Sequence, residues 1–135
     1  MSLEHVNPPS LARPSGFSHA VVGHGRTVFL AGQTAMDREG NIVGDSVVEQ
    51  FELALANVLA ALAECGGSPE DLASLTVYIV DMADYRENAR EIGAVWKRLV
   101  GRSYPAMAGI GVDRLWDEEA LVEVQGFAIL QDPPA

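Results

Sequence analysis

The chain has 135 residues, nineteen of them acidic and nine basic, for a formal net charge of −10. That balance repels phosphate backbones, and no basic stripe or aromatic stacking platform offsets it, so nucleic acid is not expected as a partner. The single cysteine, Cys65, excludes an internal disulfide and any cysteine-rich metal cluster. No apolar run approaches the roughly 18 residues of a membrane-spanning helix, so no membrane partner is expected.

A hydrophobic content of 48% at this length fits one domain with a real core. The N-terminus has neither a basic n-region nor an apolar h-region, which reads as no secretory signal. With one cysteine, the expected compartment is the cytoplasm.

Taken in chain order, residues 1–15 form an N-terminal arm, because 7–15 carry three prolines. Residues 17–22 and 27–33 read as strands, with a turn at His24-Gly25 and another at Arg38-Glu39-Gly40-Asn41. Ser46-Val47-Val48-Glu49 is a capping-box pattern, with Asp45 as a rival cap. The helix that follows aligns Phe51, Leu55, Val58, Leu59 and Leu62 on one face and ends at Gly66. Ser68-Pro69-Glu70-Asp71 begins a short helical turn. A third strand is expected over 75–80, and a second helix over about 84–100 with Tyr85, Ala89, Ile92, Val95, Trp96 and Leu99 at helical spacing. Strands over 106–112 and 121–130 close the domain, and 131–135 form a tail.

This order predicts an α+β fold: a single mixed sheet with two helices on one face. Both faces of strands such as Leu75-Thr76-Val77-Tyr78-Ile79-Val80 and Val28-Phe29-Leu30-Ala31 look largely apolar. Two helices cover only one face of a sheet. The other calls for a second subunit, so a homo-oligomer is expected.

The histidines His5, His19 and His24 lack the spacing of a zinc site, and no Gly-x-Ser-x-Gly elbow or phosphate loop is present. Neither a metal nor a cofactor is expected. Glu123 stands out, sharing a strand face with Gln125 and Phe127 in a segment otherwise suited to burial. A carboxylate there is costly unless paired or used. Two readings stay open: a general base, or a structural carboxylate that pairs with a base such as Arg114 or caps a backbone group.

Several segments resemble the RidA (YjgF, L-PSP) family of small trimeric imine and enamine deaminases. They are Phe29-Leu30-Ala31-Gly32-Gln33, Asp81-Met82-Ala83-Asp84-Tyr85, Tyr104-Pro105-Ala106-Met107 and Leu121-Val122-Glu123-Val124-Gln125-Gly126-Phe127-Ala128. The resemblance covers about residues 16–130. It implies a chorismate-mutase-like fold and a homotrimer whose sheets form a central barrel, with a small-molecule cleft between subunits. It also implies that Glu123 positions the attacking water and that Phe17, Ala31, Gly32, Asn88, Ala106 and Met107 line the cleft. Met107 stands where the family has an arginine clamp for the substrate carboxylate. A methionine offers only a polarizable thioether in place of a bidentate fork. Arg102 and Arg114 are the nearest candidates to replace it. Three functions follow: a deaminase with an altered substrate, a non-catalytic ligand-binding trimer, or an interaction protein of the holdase kind; a ribonuclease, as some members of the family are described, is disfavoured by the charge.

Overall fold

The computed structural model describes residues 3–131. Two residues of the expected arm, and all but Gln131 of the expected tail, lie outside them. The elements are β1 (Glu4–Val6), β2 (Ala20–Val22), β3 (Arg26–Gln33), α1 (Val47–Glu64), a 3₁₀ turn (Pro69–Asp71), β4 (Leu72–Ile79), α2 (Met82–Glu87), α3 (Ala89–Leu99), β5 (Ala106–Gly111) and β6 (Val122–Leu130).

The main sheet has four strands in the order β3-β6-β4-β5. The β4–β5 pair is parallel, and the other two pairs are antiparallel. A separate two-stranded ribbon joins β1 to β2, and a parallel bridge from Ser18 to Ala106 attaches it to the edge of β5. The fold is α+β with a mixed sheet, and it differs from expectation in three places. The arm contains a strand, β1, which three residues of alternation are too short to announce. Phe17 and Ser18 stand outside β2. The second helix is two helices, because at Asn88 (φ −102°, ψ 18°) the side chain donates to the Asp84 carbonyl at 2.9 Å and competes with the helical backbone.

Local signals account for most boundaries. Ser46, not Asp45, caps α1, its hydroxyl accepting from the Glu49 N–H at 3.1 Å. Gly66, at φ 91°, turns the chain out of the helix while the Gly67 N–H donates to the Leu62 carbonyl at 3.0 Å. Cys65, at the helix end, is exposed.

Helix α1 lies across β3 and β6, and α3 packs beside α1. Phe51, Leu55, Val58 and Leu62 from α1 meet Leu75, Val77, Val122 and Val124 of the sheet in one core. One buried polar side chain in this layer organises the approach to β6. Gln50 is 3% exposed. Its amide nitrogen donates to the carbonyls of Gly44 and Glu119, both at 3.2 Å, and its oxygen accepts from the Leu121 N–H at 2.8 Å. Gln50→Met keeps the volume but strands these backbone groups. It is expected to cost about 1–3 kcal/mol per group left unsatisfied, read as a lower urea midpoint with an unchanged slope. An unchanged midpoint would contradict the role given to this amide.

Candidate functional site

The residues singled out in the sequence fall into two groups, on opposite faces of the sheet. Directly paired residues share a face, and faces alternate along a strand. Met107 pairs with Leu75, whose side chain is 1% exposed in the core, so Met107 faces the helices. Glu123 pairs with Tyr78, three residues on from Leu75, so it faces away from them.

On the helix side, Met107 and Phe17 line a groove of about 330 Å³ with Val77, Tyr85, Ala108 and Gly109. Gly16, at φ 77°, makes the turn that delivers Phe17 to it. The groove continues under α3 into a hollow of about 460 Å³ whose walls include Phe51, Tyr85, Trp96, Tyr104 and Met107. Burial pushes the Tyr85 phenol up to about 12, so it stands there as a neutral hydroxyl. Tyr104 is held from behind by the N-terminal ribbon. The Ser18 hydroxyl donates to its carbonyl at 2.6 Å, and His5 Nδ1 lies 2.9 Å from the same oxygen.

On the other face, Leu30 pairs with Gly126 and Gln33 with Val124, so three steps on β3 match two on β6. This bulge, at Ala31 and Gly32, sets Gly32 against Glu123, a device common where a strand presents a functional group. The Glu123 carboxylate lies where a Cβ on residue 32 would be, which is why that position is glycine. Glu123 is half-buried, and among the described residues its carboxylate has no hydrogen-bond or ion-pair partner. The suggested pairing with Arg114 does not form: Arg114 donates to the carbonyls of Leu115 at 3.1 Å and Trp116 at 3.2 Å.

The outer face is less apolar than the sequence pattern suggested, since Ser74, Thr76 and Tyr78 point outward on β4. Its apolar part is concentrated on Phe29 and Phe127, which are 77% and 42% exposed and meet edge to face at 5.4 Å.

The remaining expected site residues are scattered. Ala106 pairs with Ser74 and faces outward, opposite to its neighbour Met107. Asn88 sits at the α2–α3 junction, bonded to Asp84. Arg102 lines a different cleft, with His5, Asn7 and Glu70, instead of the walls around Met107. Among the described residues no cluster of His, Cys, Asp or Glu is placed to hold a metal ion, and no helix is long and apolar enough to cross a membrane. Sequence reasoning singled out neither Tyr104 nor Lys97 as a site residue.

The family described as endoribonuclease L-PSP matches residues 9–130. The chain belongs to this family, the RidA/YjgF group whose motifs it resembles. A solved Rid-family protein of unknown function from Yersinia pestis is 33% identical with a TM-score of 0.86, covering 96% of this chain and 100% of that one. A RutC family protein of Pyrococcus abyssi is 30% identical, over 95% of this chain and 98% of its own length. A Capra hircus protein named 2-iminobutanoate/2-iminopropanoate deaminase is 30% identical over 105 residues, 77% of this chain and 73% of its own.

Because the atoms a new Cβ on residue 32 would meet belong to the flexible end of Glu123, Gly32→Ala should displace the carboxylate and leave the fold intact. The expected result is an unchanged thermal midpoint together with loss of any Glu123-dependent turnover. A large fall in the midpoint would mean that the glycine serves the fold instead.

Proposed function

We propose that this protein is a homotrimer that hydrolyses reactive imine or enamine metabolites at clefts between its subunits, with a preference for substrates of apolar body. The observation that carries the reading is the Glu123 carboxylate: half-buried, without a partner among the described residues, and seated over Gly32 at a strand bulge. A carboxylate left unpaired in such a place is costly unless it is used. Family membership and the deaminase name of the Capra hircus relative point to the same chemistry.

Assembly follows from the position of the two groups. Glu123 and Met107 face away from each other in one chain, so a cleft holding both needs two copies. The exposed Phe29–Phe127 pair supports a covered outer face, the Phe29 ring gaining at most about 1.5–3 kcal/mol on full burial and Phe127, already partly covered, less. In the proposed reaction Glu123 takes a proton from water as the oxygen attacks the C=N carbon and passes it to the nitrogen, giving a carbinolamine. The carbinolamine hydroxyl then gives up its proton to the nitrogen as the C–N bond breaks, leaving a carbonyl compound and ammonia. Phe17, Ala31 and Met107 would select the body of the substrate.

A second reading, a binding trimer without turnover, is favoured by the apolar character of those same three positions. The net charge of −10 argues against a ribonuclease.

Imines released from several amino acids by an oxidase, and followed as they decay, separate the two. Wild type is expected to accelerate decay, and Glu123→Gln to lose at least about a hundredfold, the scale of general-base catalysis. Equal rates in the two proteins would remove Glu123 from the mechanism. Turnover appearing only in Met107→Arg would favour the binding trimer.

A further inference from the structure

The hollow beneath α3 has features that deepen the reading above, on which this inference rests, by naming a class of ligand. Its walls are rings. Trp96 and Tyr104 lie stacked, centroids 6.1 Å apart with 13° between their planes. Phe51 and Tyr85 meet edge-on at 6.2 Å and 73°. Aromatic walls of this kind favour a flat ring, which can stack or present its edge. The volume of about 460 Å³ lies within the range of small-molecule sites.

One cation reaches this space. Lys97 is the only lysine of the chain, and it lines the hollow. It is exposed, and among the described residues it has no ion pair or hydrogen bond. Its helix offers it none: the residues three and four positions away are Gly93, Ala94, Val100 and Gly101. An unpaired lysine is unremarkable on a basic surface. In a chain of charge −10, the one lysine standing at an aromatic hollow with no carboxylate on its own helical face is a recognition element in waiting.

Gly93 completes the arrangement. It stands one turn before Lys97 inside α3, where glycine gives up about 1 kcal/mol of helix propensity relative to alanine. A Cβ at this position would meet no protein atom within 4 Å. The glycine therefore relieves no clash within the chain; it keeps the wall of the hollow open.

The geometry points to a binding site for an aromatic monocarboxylate, its ring held among Phe51, Tyr85, Trp96 and Tyr104 and its carboxylate on the Lys97 ammonium. Met107 packs its thioether against the ring, a contact sulfur makes well. The Tyr85 hydroxyl, without a hydrogen-bond partner among the described residues, supplies a neutral donor on the wall. For the proposed deaminase, the substrate class is then an aryl-substituted 2-imino acid.

Calorimetric titration with phenylacetate and its uncharged counterpart phenylacetamide tests this on the intact protein. Wild type should bind the carboxylate at least about tenfold tighter than the amide, a preference worth about 1.4 kcal/mol. Lys97→Met should abolish that preference while amide binding persists. Gly93→Leu puts a side chain into the hollow from a position where its Cβ meets no protein atom, and it strengthens the helix, so it should bind neither ligand without lowering its thermal midpoint. These affinities are read without any turnover, so failure of the deaminase reading leaves the result standing. Any of four results would overturn the inference: equal affinity for acid and amide, a preference that survives Lys97→Met, undiminished binding by Gly93→Leu, or no binding by wild type up to about 10 mM.

Discussion

The pleat of one sheet sets the terms for everything else in this molecule. Adjacent residues on a strand must point to opposite faces, and directly paired residues on neighbouring strands to the same face. With Met107 opposite Leu75 and Glu123 opposite Tyr78, the apolar wall of the candidate site and its carboxylate are held back to back. Side-chain rotation cannot reunite them, because the sheet itself lies between. Chemistry that needs both has to borrow one of them from another copy of the chain.

The rest of the architecture serves those two presentations separately. Glu123 is aimed by the Ala31–Gly32 bulge, and its strand is started by the Gln50 amide, which grips the chain at Glu119 and Leu121. Met107 lies at the edge of the sheet, where the parallel β4–β5 pair leaves a flank that α3 and Phe17 enclose. The ribbon is more than an appendage: through Ser18 and His5 it fixes the Tyr104 backbone that walls the hollow. One face therefore offers an acid in a polar setting, and the other an aromatic hollow with a single cation.

Much of the fold was legible because its punctuation is local. Ser46, Gly66 and Pro69 mark boundaries by caps and turns that depend on a few residues each, and the core positions of α1 follow helical spacing. The break at Asn88 was hidden, since the periodicity runs through it and only the Asn88–Asp84 bond gives it away. Glu123 was recognisable as an acid in an apolar strand. That it stands apart from Met107 was not, because faces depend on register, and register between β4, β5 and β6 is a property of strands far apart in the chain, such as those that pair Leu72 with Ala128. Lys97 escaped for another reason. A charged residue on an exposed helix face reads as a solvated one, and only the rings of Phe51 and Tyr104, brought from distant segments, give it a different setting.

The claim that the site is divided between copies is tested most directly by measuring assembled mass and imine turnover on the same samples of wild type and Phe29→Glu. Phe29 is given no part in binding or chemistry, and it lies in the outer face that neighbouring copies would cover. The account predicts that wild type sediments at the mass of three chains and turns over, while Phe29→Glu remains folded, sediments as a single chain and is inactive. A folded single chain with full turnover would contradict it.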